Sequence, residues 1–264
     1  MNHPQIAAFA RLARENDQPV RSIEGQRTLI SRTMHGMAYD SVRDELVVTS
    51  PLAQSILVFR GDANGETEPV RVIRGPHTQI LGTGLNGNDR INIDEVHGEY
   101  YLSVLDGIAV FDRDANGDVP PKRILRGPNT RIKGMTASAP DPVHDRLVVR
   151  GDRSLLIFDR LASGDAKPLS TIEGSEVAVG GLPHMLRVYG PKGWIVDGYR
   201  GGSLGVWSID DHGNVPPRWR IPVRQLAEKG EGASGIDLDS VHKEIWVTSG
   251  MGNRFMAFYF PEIF

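Results

Sequence analysis

The chain has 264 residues and a net charge of −3, with 30 glycines, 17 prolines and no cysteine. The lack of cysteine excludes a disulfide scaffold and a thiolate zinc site. Hydrophobic residues at 39% and charged residues at 24% are typical of a globular protein and exclude a disordered or fibrous chain.

The predicted elements begin with a weakly helical segment, Gln5 to Asn16, and a short strand within Pro19 to Gly25. From residue 37 onwards the chain repeats four short strands separated by turns, which we name A to D. In the first complete copy these are A (Met37 to Asp40), B (Glu45 to Thr49), C (Ser55 to Arg60) and D (Val70 to Ile73). Pairs of A and B strands occur five times, near residues 34–50, 90–104, 135–151, 185–199 and 234–250.

One aromatic residue in each C strand sets the register of the repeat. These anchors are Phe9, Phe59, Phe111, Phe158, Trp207 and Phe258, with spacings of 50, 52, 47, 49 and 51 residues. A proline follows ten residues after each of the first five anchors. Short strands that recur about every 50 residues predict an all-β fold of the β-propeller class.

Five pairs of A and B strands predict five four-stranded blades, with six blades as the alternative. The last copy has no D strand, whereas Pro19 to Gly25 is a D strand with no A or B strand before it. We therefore predict that residues 19–25 close the ring as the outer strand of the terminal blade, so that residues 1–264 form a single domain. Residues 1–18 would then be an N-terminal arm, with Gln5 to Asn16 as a helix or a loose segment.

The four strands of the first copy resemble an NHL-type repeat. The segments are Gly36-Met-Ala-Tyr-Asp40, Glu45-Leu-Val-Val-Thr-Ser50, Ser55-Ile-Leu-Val-Phe-Arg60 and Val70-Arg-Val-Ile-Arg-Gly75, and the Ala-Asn-Gly turn between C and D is that of a bacterial variant. The fourth copy departs from the pattern because it lacks the aspartate that ends strand A. The resemblance implies a non-catalytic binding or scaffold propeller that mediates protein–protein interaction or assembly. The fold also hosts lactonases and lyases, so a metal-dependent hydrolytic enzyme is the alternative.

The candidate binding site lies on the connections from B to C and from D to A, which differ most between copies. The B–C connections contribute Arg153, Arg200 and Arg254, which would suit a carboxylate, a phosphate or an acidic peptide. On the same face we place His35 and His184, which precede A strands, and Asp89. The alternative is that the arginines pair with Asp89, Asp152 or Asp197 and only hold the loops.

Motifs for metal binding and catalysis are incomplete. His35 and His184 lack a specified third ligand, so we predict no metal site, no cofactor and no catalytic residue. Asp112 to Asp118 matches the first half of an EF-hand loop, but position 12 is Arg123 instead of glutamate, which favours a C–D hairpin with positive φ at Asn116 and Gly117. Three histidines recur in the A–B hairpins and are expected to be solvated turn residues: His97, His144 and His242.

The expected partner is a protein or the other subunits of a complex. Nucleic acid is not expected, because the arginines of the D strands lie on outer strands, where charges protect an exposed edge. The longest apolar run, Phe255 to Pro261, is far shorter than a spanning helix, so no membrane insertion is expected. The sequence leaves the oligomeric state open, and it is compatible with a cytoplasmic protein if Met1 is the true start or an exported one if a leader has been removed.

Overall fold

The computed structural model describes residues 4–31, 36–80, 90–134, 136–179, 186–226, 235–249 and 254–264. These residues form an all-β fold with a single four-residue α-helix, α1 (Val223–Leu226). The strands in chain order are β1 (Gln5–Ala8), β2 (Arg21–Glu24), β3 (Met37–Asp40), β4 (Glu45–Ser50), β5 (Ser55–Arg60), β6 (Arg71–Arg74), β7 (Ile91–Asp94), β8 (Glu99–Val104), β9 (Gly107–Asp112), β10 (Arg123–Arg126), β11 (Ser138–Asp141), β12 (Arg146–Arg150), β13 (Ser154–Asp159), β14 (Ser170–Glu173), β15 (Arg187–Tyr189), β16 (Trp194–Tyr199), β17 (Ser203–Ser208), β18 (Trp219–Ile221), β19 (Gly235–Asp239), β20 (Glu244–Ser249) and β21 (Arg254–Tyr259).

The sheets form the five blades of a β-propeller, which confirms the predicted fold class and the choice of five blades over six. Blades 1 to 4 each have four antiparallel strands in the order A, B, C, D, namely β3–β6, β7–β10, β11–β14 and β15–β18. Blade 5 has three described strands, β19–β21. Strands β1 and β2 form a separate two-stranded sheet, which we call the N-terminal hairpin.

The aromatic anchors are among the largest fully buried side chains of the four complete blades. Phe59, Phe111, Phe158 and Trp207 have no exposed surface, whereas Phe9 in the N-terminal hairpin is 45% exposed. Burying such a side chain contributes roughly 1.5–3 kcal/mol to folding. The anchor that sets the register in the sequence is therefore also a main stabilising contact of each complete blade.

The aspartate that ends strand A caps the A–B hairpin. In blade 3, Asp141 Oδ1 accepts hydrogen bonds from the backbone N–H groups of Val143 and His144, at 3.0 and 3.2 Å. Asp40 and Asp239 accept the equivalent pairs of bonds in blades 1 and 5. Blade 4, which lacks this aspartate, turns instead through the 3₁₀ helix Gly190–Lys192, and Gly193 adopts a φ of +63° that favours glycine. The departure of the fourth copy from the repeat is thus a different turn in the same place.

Successive blades are joined by the loop between strands C and D, in an arrangement that we call the clasp. In blade 2 the N–H of Gly117 donates to the Val72 carbonyl of strand β6, and its carbonyl accepts from Arg74 N–H, at 2.7 and 3.1 Å. Gly65, Gly164 and Gly213 make the same two bonds with the preceding D strand. Each of these glycines has a φ between +61° and +76°. The clasp therefore explains why the glycine of the loop recurs in every copy.

The contacts divide the chain into two compact units, Met1–Leu105 with Ala109–Lys122, and Asp106–Ile108 with Arg123–Phe264. In the first unit Ile23, Val48, Leu57 and Phe59 form a buried cluster, against which Ile6 packs. The second unit has one cluster around Trp207 and another that contains Val206, Ile221, Ile245 and Ile263.

The N-terminal segment differs from the prediction of a helix or loose arm. Residues Gln5–Ala8 form strand β1, which pairs with β2 in antiparallel register. The reason is the packing of Ile6 against the cluster that contains Ile23 and Leu57, because an extended chain places Ile6 and Ile23 on the same face. The strand predicted at residues 19–25 exists as β2, and closure of the ring by this strand stays a prediction.

Candidate functional site

Three of the six predicted binding residues are described. Arg153 lies exposed in the turn between β12 and β13, with a φ of +58°, and Arg200 lies exposed just after β16. Arg254 is the half-buried first residue of β21. His35, His184 and Asp89 lie outside the described residues, so their part in the site stays a prediction.

The described contacts group Arg200 with a second arginine, Arg220, around the ring of Tyr199. The Cζ atoms of Arg200 and Arg220 lie 5.3 and 5.4 Å from the ring centroid, within the range of a cation–π interaction. Tyr199 itself is 5% exposed and packs against Trp207. The exposed guanidinium groups of Arg200 and Arg220 are thus held by one buried, rigid ring.

Glycines bring the third arginine close to the same loop. Gly201 and Gly202 have φ values of +73° and +72°, and a Cβ at Gly202 would lie 3.0 Å from the Cβ of Arg224. The loop after β16 therefore lies close to α1, which carries Arg224, where a side chain at residue 202 would crowd that of Arg224. We call Arg200, Arg220 and Arg224, together with Tyr199, the arginine cluster.

The charges of the two stacked arginines are not neutralised by the described part of the chain. No described carboxylate lies within ion-pair distance of Arg200, Arg220 or Arg153. Arg220 Nε donates to Ser203 Oγ at 3.2 Å, a neutral partner. Of the carboxylates that were expected to hold these arginines, Asp197 lies 3.5 Å from a different one, Arg150. Arg200 and Arg220 can therefore present their positive charges to an external carboxylate or phosphate.

Below the arginine cluster, Asp197 is buried in strand β16, two residues before Tyr199. Its Oδ1 accepts a hydrogen bond from Gly198 N–H at 2.6 Å, and its Oδ2 has no hydrogen-bond partner among the described residues. Burial raises the pKa of Asp197 to about 6, although Arg150 and the Gly198 N–H both lower it. The cost of ionising this carboxyl inside the blade is therefore only partly offset by its neighbours.

The free energy of unfolding should depend on pH because Asp197 titrates. Because its pKa is higher in the folded state than in the unfolded chain, the folded state binds the extra proton, and stability falls as the pH rises from about 4 to about 6. The full effect is on the order of 3 kcal/mol above that range. Urea unfolding of the wild type and of Asp197→Asn between pH 4 and 8 should show this slope in the wild type alone. The exposed Asp152→Asn serves as control, and a constant difference between wild type and Asp197→Asn would contradict the assignment.

In the EF-hand-like segment of blade 2, the side-chain oxygen atoms of Asn116 and Asp118 accept hydrogen bonds within the clasp. Asn116 Oδ1 accepts the N–H of Val72, and Asp118 accepts the N–H of His77, at 3.0 and 2.8 Å. The prediction of positive φ at both Asn116 and Gly117 was wrong for asparagine, because only the glycine adopts it. The asparagine instead turns its side chain to the neighbouring D strand. This segment therefore joins two blades.

The recurring histidines lie in the A–B hairpins, as predicted, but each is bonded to the capping aspartate. The Nδ1 atoms of His97, His144 and His242 lie 2.7–2.8 Å from Asp94, Asp141 and Asp239. In blade 5, Glu244 also comes close enough that Asp239, His242 and Glu244 form a possible metal-binding group. Because the same histidine–aspartate contact occurs in blades 2 and 3, it is explained by the hairpin itself.

From the sequence, Arg220 was interpreted as one of the charged residues of the outer D strands, and nothing in the sequence placed it beside Arg200. In the structure, Arg220 on β18 lies opposite Gly205 on β17, and the ring of Trp207 lies over that glycine. A glycine opposite an arginine was the available signal.

Comparison of the chain with protein-family models and with curated proteins finds no match. No helix in the described ranges has the length and apolar character needed to cross a membrane.

Proposed function

We propose that this protein is a non-catalytic binding or scaffold propeller of the NHL type, which holds an acidic segment of a partner protein at the arginine cluster. The NHL part of this proposal rests on the resemblance of the repeated strands. The binding part rests on one observation, the pair of exposed guanidinium groups of Arg200 and Arg220 on the ring of Tyr199.

The geometry favours an anionic ligand for two reasons. The guanidinium group binds carboxylates through paired N–H donors, and a stacked guanidinium loses less side-chain freedom when it binds. Arg200, just after β16, and Arg220 on β18 belong to the same blade and contact the same ring, so an extended acidic chain could contact both without any change of the fold. A peptide with several glutamate or aspartate residues therefore matches the site better than a single small anion.

The hydrolytic alternative gains no specific support. It placed a metal near His35 and His184, at the end of the blades where D–A and B–C connections lie. The possible metal-binding group of Asp239, His242 and Glu244 belongs to an A–B hairpin, at the other end of its sheet. Asp197, two residues before Tyr199 in β16, is fully buried beside Arg150.

Binding of an acidic peptide tests the proposal. We expect a fluorescein-labelled octaglutamate peptide to bind the full chain, and the double variant Arg200→Gln/Arg220→Gln to weaken binding about tenfold or more, because two charge-assisted contacts are lost. The measurement is fluorescence polarisation at about 0.15 M salt, where long-range attraction is largely screened.

The control variant removes the same charge elsewhere. Arg14→Gln/Lys167→Gln changes two exposed basic residues away from the arginine cluster and should bind like the wild type. If both double variants weaken binding equally, the peptide responds to net charge alone and the proposed site is wrong. If the wild type does not bind the peptide, the acidic partner is wrong as well.

A further inference from the structure

Two of the clasps contain a chemically labile dipeptide. Asn64-Gly65 and Asn116-Gly117 lie in the C–D loops of blades 1 and 2, and a third pair, Asn86-Gly87, lies outside the described residues. When the backbone nitrogen of such a glycine attacks Cγ of the asparagine, ammonia leaves and a succinimide ring forms. Water then opens the ring to aspartate or isoaspartate. Glycine favours this attack because it has no Cβ to block the approach of its nitrogen.

In the clasp of blade 2, one residue of the neighbouring D strand holds both reacting groups. The N–H of Val72 donates to Asn116 Oδ1 at 3.0 Å, and the Val72 carbonyl accepts from Gly117 N–H at 2.7 Å. The first bond fixes the side chain whose carbon would be attacked. The second bond engages the N–H that must lose its proton before its nitrogen can attack. The closed clasp therefore restrains both partners of the reaction.

The clasp of blade 1 repeats this arrangement with strand β2. The N–H of Ser22 donates to Asn64 Oδ1 at 3.1 Å, and the Ser22 carbonyl accepts from Gly65 N–H at 2.6 Å. Both clasps lie within the first compact unit. Because the same two bonds occur at both asparagines, the restraint is a property of the clasp.

The clasps of blades 3 and 4 show that a clasp does not need asparagine. Ser163 precedes the loop glycine of blade 3, and His212 precedes that of blade 4. Both glycines nevertheless make the same two backbone bonds with the preceding D strand. Asn64 and Asn116 are exposed, so water can reach a succinimide that forms there. The asparagines thus give two of the clasps a reactivity that closure of the clasp does not require.

We propose that Asn64 and Asn116 are sites of spontaneous deamidation, and that each clasp keeps its asparagine unmodified while the loop stays bonded to the neighbouring D strand. Local opening of the clasp releases both reacting groups, so the rate of modification follows the fraction of time that the clasp is open. Isoaspartate adds one carbon to the backbone before the glycine nitrogen, which moves the glycine N–H away from its acceptor. Modification therefore makes the opening permanent. The inference does not depend on the proposed function.

The other backbone bond of each clasp offers a way to weaken one clasp alone. The N–H of Arg74 donates to the Gly117 carbonyl at 3.1 Å, and the N–H of Glu24 donates to the Gly65 carbonyl at 3.2 Å. In blade 4, Pro222 holds the position that Arg74 holds in blade 1, so a D strand of this chain already accepts proline there. Proline at either position removes one donor of one clasp.

The test compares the full chain with two synthetic peptides that carry the sequences of residues 60–69 and 112–121. All are incubated at mildly alkaline pH, where the attacking nitrogen is more readily deprotonated, and deamidation of each asparagine is followed by peptide mapping and mass spectrometry. We expect Asn64 and Asn116 to react about tenfold or more slowly in the folded chain than in the peptides, because the clasp must open first.

Variants of the D strands assign this protection to the individual clasps. We expect Arg74→Pro to speed deamidation of Asn116 about tenfold while Asn64 keeps its wild-type rate. Glu24→Pro should have the opposite selectivity. Arg74→Ala makes the same change of charge but keeps the N–H, so both asparagines should react as in the wild type.

Equal rates in the folded chain and the peptides would overturn the proposal, as would Arg74→Pro and Arg74→Ala variants that react alike. Acceleration of both asparagines by Arg74→Pro would mean that the variant has unfolded. Hydrogen exchange of the wild type, followed by NMR, then decides. The Gly117 amide should be protected by about the same factor as Asn116 deamidation is slowed, and a protected amide beside an asparagine that reacts as fast as in the peptide would refute the role of the clasp.

Discussion

Replacing Ile263 by alanine is expected to lower the free energy of unfolding by about 2–5 kcal/mol. The side chain is fully buried in the cluster with Val206, Ile221 and Ile245, although it lies in a 3₁₀ helix after the last strand. Truncation removes three carbon atoms and leaves a cavity that the surrounding strands can fill only in part. Urea unfolding followed by tryptophan fluorescence would measure the loss, because Trp194 and Trp219 pack against the same cluster.

The neighbouring residue provides a matched control for this substitution. Glu262 lies in the same turn but is exposed, so Glu262→Ala should leave the unfolding midpoint nearly unchanged. The turn is also held by Phe264, whose ring packs edge-on against Tyr189 at 5.1 Å and whose carbonyl accepts from Lys192. Similar losses for Ile263→Ala and Glu262→Ala would mean that the turn, and not the buried side chain, stabilises the fold.

Asp40→Ala is expected to cost about 3–5 kcal/mol, because it leaves a buried charge without its partner. Asp40 is fully buried, and its Oδ2 lies 3.0 Å from Nε of Arg113, which is itself almost completely buried. The same carboxylate accepts the N–H groups of Val42 and Arg43 in the A–B hairpin. One substitution therefore breaks an ion pair in the first unit and the cap of a turn.

An exposed ion pair in blade 1 is the control for Asp40→Ala. Asp62 lies 3.0 Å from Arg60, but both side chains are about two-thirds exposed, so Asp62→Ala should cause no measurable loss. The comparison requires chemical denaturation of both variants at the same pH and salt. A loss for Asp40→Ala that is no larger than that for Asp62→Ala would show that burial of the pair does not matter.

The sequence predicted the blades well because each copy repeats the same physical requirements. Phe59 and its equivalents must be buried, Asp40 and its equivalents must cap a hairpin, and the glycine of the C–D loop needs a positive φ. These requirements are local and recur about every 50 residues, so they can be recognised without knowing which blade lies next to which. The resulting prediction of an all-β, five-bladed propeller is confirmed.

Features that depend on contacts between residues far apart in the chain could not be predicted from the sequence. The helical appearance of Gln5 to Asn16 was misleading because Ile6 gains more from packing with Ile23 than the segment gains from helix formation. Arg220 could not be placed beside Arg200, since that requires the pairing of β17 with both β16 and β18. The use of Asn116 in a bond to the preceding blade was hidden for the same reason, because its partner, Val72, lies 44 residues away in the chain.

The clasps have a consequence for how this chain can be divided or enlarged by evolution. Each clasp joins the D strand of one blade to the C–D loop of the next. A cut at a blade boundary therefore separates the D strand from the loop glycine that binds it. A fragment that consists of one blade would carry a loop glycine without its partner strand, and a D strand without its glycine. Duplication of a whole 50-residue period preserves every junction regardless of where the period begins. The unit of this protein that can be duplicated is therefore one period of the chain, and a single blade is not an independent folding unit.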